Sequence, residues 1–115
     1  LRSAPQATFG NTAPTSPATI WECPALLELP VAGSSKKRWV LLLSMGGNAP
    51  AGGTGMQYFV GDFNGKAFRS EQPAPPGRGS DNDLRYVDWG KDYYAAIPFN
   101  HLPNGRAVTI GWMNN

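Results

Sequence analysis

Glu22 is the residue in this chain with the clearest capacity for chemistry. It lies in Trp21-Glu22-Cys23-Pro24, just ahead of the apolar stretch Ala25-Leu26-Leu27-Glu28-Leu29. A carboxylate at the mouth of an apolar strand sits among groups that solvate charge poorly, and burial there raises its pKa. A carboxyl that keeps its proton near neutral pH can serve as a general acid. A Glu at a strand end pointing into water fits the same four residues, and the tetrapeptide by itself does not separate the two.

Three further segments follow in fixed order. They are Gly53-Thr54-Gly55-Met56-Gln57-Tyr58-Phe59-Val60-Gly61-Asp62-Phe63-Asn64-Gly65, Asp88-Trp89-Gly90-Lys91-Asp92-Tyr93-Tyr94-Ala95, and Gly111-Trp112-Met113-Asn114-Asn115. Opened by Trp-Glu-Cys-Pro, this series resembles the central part of glycoside hydrolase family 32, the β-fructosidases (invertases, levanases, inulinases). The resemblance runs from about Phe9 to the last residue.

The resemblance implies an all-β chain: about two blades of a five-bladed β-propeller, each blade a four-stranded antiparallel sheet. It implies cleavage of terminal β-fructofuranosyl linkages in fructans or sucrose by a retaining mechanism. Such glycosidases pass through an oxocarbenium-like transition state, with one carboxyl protonating the leaving oxygen and a second attacking the anomeric carbon. In that scheme Glu22 is the acid/base. The family's nucleophile is an aspartate in a Trp-Met-Asn-Asp-Pro-Asn-Gly type segment, and a second aspartate lies in Arg-Asp-Pro; neither segment occurs here. The closing Trp112-Met113-Asn114-Asn115 is only superficially similar to the nucleophile segment, since its fourth residue is Asn. Its place after Tyr94 matches the family's later Gly-Trp-Met instead. Residues 1–115 therefore read as a partial catalytic propeller domain carrying one of three catalytic carboxylates, and inactive by itself.

The remaining site candidates come from the same resemblance. Asp88 and Lys91 look like positions that contact the sugar on the leaving-group side. A carboxylate accepts hydrogen bonds from vicinal hydroxyls, and a nearby Lys can hold it ionised; a turn Asp with a solvated Lys is the plainer alternative. Tyr94 is similar to a family tyrosine near the acid/base, where its phenol would donate to Glu22. Tyr93 should face the other way if the segment is a strand, and Asp92 is a lesser candidate. Trp112 would form an aromatic wall for fructose, whose C–H face is apolar. Trp21, Trp39 and Trp89 read as packing residues, and Cys23 as packing beside the acid.

Composition narrows the remaining classes. A net charge of +2 with scattered basic residues, Lys36-Lys37-Arg38 excepted, gives no basis for nucleic-acid binding. No apolar run reaches the ~18–20 residues of a membrane span. One cysteine allows no internal disulfide, and the lone His101 can build neither a catalytic triad nor a histidine metal cluster. Gly52-Gly53-Thr54-Gly55 leads into a strand pattern rather than a helix, which does not suit a phosphate cradle. No cofactor is expected. The family points to an extracellular or periplasmic protein, and oligomeric state is open.

The 14 Gly and 11 Pro interrupt the chain too often for long helices. Residues 1–19 read as a surface loop. Trp39–Ser44 is an unbroken apolar run suited to a strand buried on both faces, and Met56–Phe63 is the next strand. Asn64-Gly65 supplies the two positive-φ residues of a type I′ hairpin leading into Lys66-Ala67-Phe68. With Ala25–Leu29 as a fourth strand, these make the antiparallel unit of a propeller blade. Glu71–Asp83 reads as a loop. A second blade is expected to begin at Tyr86-Val87, run through Tyr93–Ile97, and turn at Pro103-Asn104-Gly105 into Ala107–Trp112. The rival to an enzyme is a non-catalytic carbohydrate-binding β-domain using the same aromatics and Asp88.

Overall fold

The structure is a computed structural model that describes residues 6–8, 20–71 and 85–113. The strands are β1 (Gln6–Thr8), β2 (Trp21–Pro30), β3 (Lys37–Met45), β4 (Gly55–Phe63), β5 (Ala67–Ser70), β6 (Tyr94–Phe99) and β7 (Val108–Trp112). Among the described residues the helical content is one 3-10 turn, Pro103–Gly105.

β2 to β5 form an antiparallel meander in chain order, with β1 added parallel along β5. The four-stranded unit expected of a propeller blade is thus present. β6 and β7 pair antiparallel as a separate two-stranded sheet. β3 is the centre of the first sheet, and every residue from Leu41 to Met45 is buried. One face of it packs Leu41 and Leu43 with Phe59 and Phe68. The other packs Leu42 with Leu27, Met56 and Ala96, the last carried in by β6. Alternating side chains supply both faces, and the second sheet closes on the Leu42 side. Trp39 meets Phe63 edge-to-face at 5.1 Å, a packing role. Arg38 pins the rim of the sheet, pairing with Asp62 at 3.5 Å and with Glu71.

Three local expectations change. Gln6–Thr8 is a strand inside the presumed N-terminal loop; its three residues are too few to show a period in an Ala/Pro/Ser/Thr-rich stretch. The hairpin after β4 turns one residue later than Asn64-Gly65 implies. Gly65 has φ 87°, while Asn64 stays out of the left-handed region and pairs with Ala67 through its N–H. The loop is therefore Gly65-Lys66, with the positive φ at its first residue as in a II′ turn. Asn64 acts through its side chain, whose Oδ1 accepts from the Lys66 and Ala67 amides at 3.0 and 2.9 Å.

The third change concerns Tyr86-Val87, which does not open a second blade. Tyr58 N–H donates to the Arg85 carbonyl at 3.1 Å and Val87 N–H to the Met56 carbonyl at 3.0 Å, around an antiparallel bridge between Gln57 and Tyr86. β5 covers only Gly61–Phe63 of that β4 edge, and residues 85–87 satisfy backbone groups on the part that β5 leaves open. The second sheet starts at Tyr94. Of the loop expected over Glu71–Asp83, residues 72–83 lie outside the described residues, as do Asn114 and Asn115.

Candidate active site

The first residues of β2 set the geometry of Glu22. Glu22 pairs with Ser44 across the ladder, but Ala25 pairs with Leu42, so β2 holds one more residue than β3 over this interval. That is a β-bulge. Its first residue, Cys23, has φ 45°, a conformation costly for any residue with a Cβ. The bulge ends regular pairing just after the carboxylate. Glu22 is exposed, so the expected burial in apolar surroundings is not supplied by these residues.

What reaches Glu22 is Tyr94. Its hydroxyl donates to Glu22 Oε2, joining β6 to β2. Tyr94 is buried, and its phenol is pushed up to about 12, first by burial and then by the hydrogen bond to Glu22, with the charges of Glu22 and Cys23 adding to it. A phenol that ionises so late stays protonated at any pH where sugars are handled enzymatically. The direction of the bond is thereby fixed: tyrosine donates and carboxylate accepts.

β6 repeats the device seen in β2. Tyr94 pairs with Trp112 and Ile97 with Ile110, again with one surplus residue, and Ala95 has φ 49°. Within the bulge, the Ala96 N–H donates to the sulfur of Met56, at 3.2 Å in a buried setting. Met56 pairs with Ser44, and Ser44 with Glu22. Glu22, Ser44 and Met56 thus form one row across β2, β3 and β4, since directly opposed residues share a face. Both ends of that row bond to β6, at Tyr94 and at Ala96. Met56 and the bulges carry no sequence signal: Cys and Ala are not residues that advertise a left-handed φ.

The other candidates lie at varying removes. Trp112, on β7, is the cross-strand neighbour of Tyr94 and is 63% exposed. Asp88 and Lys91 are exposed and lie on the segment that leads from the Tyr86 bridge into β6. The Asp88 carboxylate is oriented by its own turn, Oδ2 accepting the Gly90 N–H at 2.7 Å. Tyr93 lies just ahead of β6 and has different partners from Tyr94. Its hydroxyl bonds the Thr109 hydroxyl, and its ring lies over Gly111, where a Cβ would come within 2.8 Å of it. Tyr93 therefore closes the β6–β7 hairpin while Tyr94 serves the carboxylate. Trp89 stands edge-on to Tyr86 at 5.0 Å. Among the described residues no three His, Cys, Asp or Glu side chains cluster to hold a metal, and no helix is long and apolar enough to cross a membrane.

Comparison with known proteins gives this arrangement its context. The chain is 44% identical over 99 residues to a levanase of Bacillus subtilis, the match covering 84% of this chain and 14% of that protein. It is 42% identical over 99 residues to the extracellular exo-inulinase of Aspergillus niger, covering 84% of this chain and 18% of that protein. The chain thus spans less than a fifth of either relative. Among solved structures, the fructofuranosidase of Schwanniomyces occidentalis complexed with fructose superposes with a TM-score of 0.68 at 37% identity, covering 83% of this chain and 17% of that one. The fold is accordingly part of a β-propeller, its four-stranded antiparallel meander accompanied by the separate two-stranded sheet of β6 and β7. A family model described as the glycosyl hydrolases family 32 N-terminal domain matches residues 4–115, and the chain belongs to that family.

Proposed function

We propose that this chain is part of a longer retaining glycoside hydrolase that releases terminal β-fructofuranosyl units from fructans or sucrose, with Glu22 as its general acid/base. The observation that carries the reading is the hydrogen bond from the Tyr94 hydroxyl to Glu22, made between two blades and flanked on both strands by a bulge. A conformation that strains Cys23 and Ala95 is the kind of local cost that folds retain where a side chain must be aimed. The names of the relatives, a levanase, an exo-inulinase and a fructofuranosidase holding fructose, supply the substrate class. Secretion belongs to the same proposal, supported by one relative being named an extracellular exo-inulinase.

In this reading Tyr94 occupies Oε2 and fixes the carboxyl plane, which leaves Oε1 to hand a proton to the departing glycosidic oxygen. After the fructosyl–enzyme intermediate forms on a carboxylate outside this chain, the same atom withdraws a proton from the attacking water. Trp112 would lie against the C–H face of the fructosyl ring. Asp88, with Lys91 nearby in sequence, would hold hydroxyls of the leaving sugar.

The test is the full-length enzyme with Glu22→Ala, assayed on inulin, levan and sucrose and on an aryl fructoside with an activated leaving group. An acid/base role predicts a loss of about 10²–10⁴-fold on the natural substrates, with a smaller loss on the activated one. Equal losses on both would assign Glu22 to structure. Binding of fructans with no turnover in the wild type would favour the carbohydrate-binding domain instead.

A further inference from the structure

Met56 lies in the buried layer between the two sheets and is 1% exposed. Its apolar bulk packs with Leu27, Leu42 and Ala96. Packing alone would be served equally by leucine. What leucine lacks is an acceptor, and Met56 uses its sulfur as one: the Ala96 N–H points at Sδ, 3.2 Å away. That amide falls within the register shift between Tyr94 and Ile97, where Ala96 has no opposed residue on β7. A buried N–H left unpaired is disfavoured. The thioether is a weak acceptor, yet it is polarizable and reaches into irregular spaces.

The consequence reaches the carboxylate. Ala96 stands two residues after Tyr94, on the far side of the left-handed Ala95. Fixing Ala96 fixes the bulge, and the bulge fixes the direction in which Tyr94 leaves the strand. Met56 also stands in the same cross-strand row as Glu22, two strands away through Ser44. The row thus holds β6 at two points, the carboxylate at one end and the sulfur at the other.

We infer that Met56 is a positioning residue for the Tyr94–Glu22 pair, its sulfur anchoring the β6 bulge so that the tyrosine hydroxyl stays on the carboxylate. The inference rests on the acid/base reading of Glu22. Met56→Leu keeps apolar bulk and removes the acceptor. Met45→Leu is the control: Met45 is equally buried but lies in the cluster with Ala49, Trp21 and Tyr86 rather than against Ala96.

The experiment is a double-mutant cycle in the full-length enzyme, with kcat, KM and the pH profile of kcat/KM measured on inulin. The variants are Met56→Leu, Met45→Leu, Tyr94→Phe, and Met56→Leu combined with Tyr94→Phe. The expected result is a fall in kcat of about tenfold for Met56→Leu with KM little changed, since a misplacement of about 1 Å can cost up to ~10²-fold. Its pH profile should move in the same direction as that of Tyr94→Phe, and the double variant should be no slower than Tyr94→Phe alone. Met45→Leu should leave the profile in place. Full additivity of the two losses, or an equal profile change in Met45→Leu, would overturn the role of Met56 while leaving the Glu22 reading standing. If Tyr94→Phe matches the wild type in rate and profile, both the pair and its anchor are wrong.

Discussion

Cys23 and Ala95 occupy equivalent places in two strands that belong to different sheets. Each follows a residue of the Glu22–Tyr94 pair, each has φ between 45° and 49°, and each opens a one-residue bulge. The two blades share no repeat at the level of residue identity in these strands, yet they share this backbone device. Its function is geometrical: at the point where β2 and β6 approach, both strands break register and aim one side chain out of the ladder.

The strain at these positions is measurable. At Ala95, glycine removes the Cβ conflict, worth about 1–2 kcal/mol, but loosens the unfolded chain by about 0.4–1 kcal/mol. Ala95→Gly should therefore be at least as stable as wild type, by up to about 1.5 kcal/mol. Ala95→Val puts a β-branched side chain into the same left-handed conformation and should cost about 1–3 kcal/mol. Urea unfolding of the full-length enzyme checks the order Gly ≥ Ala > Val. A Val variant as stable as wild type would mean that Ala95 is extended.

Much of the blade is legible in the sequence because hydrophobicity records burial. The run through Leu41, Leu42 and Leu43 announces a strand covered on both sides, and the structure buries all three. Glycine after β4 announces a tight turn, though not its register. That depends on which residue the Asn64 side chain replaces. The bulges are silent because Cys23 and Ala95 are residues that prefer negative φ elsewhere. The strand-like tie at Arg85–Val87 is silent as well, because its partners Met56 and Tyr58 are distant in the chain and its own pattern is too short to show a period. Tyr94 and Glu22 are separated by 72 positions, and no local rule joins them. Their link came from resemblance, and the structure supplies its geometry.

Tyr94 carries a definite pH dependence. An ordinary tyrosine ionises near ~10, whereas Tyr94 in the folded chain is pushed up to about 12. In the window between those values the folded state holds a proton that the unfolded state has lost. The stability contributed by Tyr94 is thus fully present below about pH 10 and falls as pH rises toward about 12. In alkaline titration followed by ultraviolet absorbance, the wild type should show a tyrosine step near pH 12, and that step should vanish in Tyr94→Phe. The variant should also lose less stability than wild type across that window. A late step that persists in Tyr94→Phe would assign it to another tyrosine.

The 115-residue chain expressed by itself should be sticky and inactive. Ile97 and Ile110 are directly paired across β6 and β7, and both stay exposed, at 56% and 63%. With Phe99 and Trp112 they leave an apolar strip on a two-stranded sheet, an arrangement that is marginal in isolation. Binding of an apolar-surface dye, concentration-dependent association in sedimentation, and no release of fructose from inulin or sucrose are the expected results. A monomer at micromolar concentration with a sharp cooperative melt would show that this strip needs no cover. Fructose release abolished by Glu22→Gln would show that the catalytic set is complete without further carboxylates.

Within the full-length enzyme, Glu22 and Asp88 should fail in different ways. A proton donor acts on the departing oxygen in the transition state, so Glu22→Ala should act on kcat. Asp88 is exposed and held by its own turn through Gly90, which suits a carboxylate that receives hydroxyls from a sugar already bound. Asp88→Ala should therefore raise KM, or shift preference between sucrose and inulin, with kcat lowered far less than in Glu22→Ala. The leaving group separates them further. An activated aryl fructoside needs little protonation, so it should recover much of the rate lost in Glu22→Ala, up to the limit set by the base step of deglycosylation. No such recovery is expected for Asp88→Ala, because its loss is one of contact rather than of a proton. If Asp88→Ala instead reproduced the Glu22→Ala pattern, with kcat reduced 10²-fold or more and rescue by the activated substrate, the proton donor would lie on the segment before β6, and the Tyr94–Glu22 bond would be a structural tie between blades.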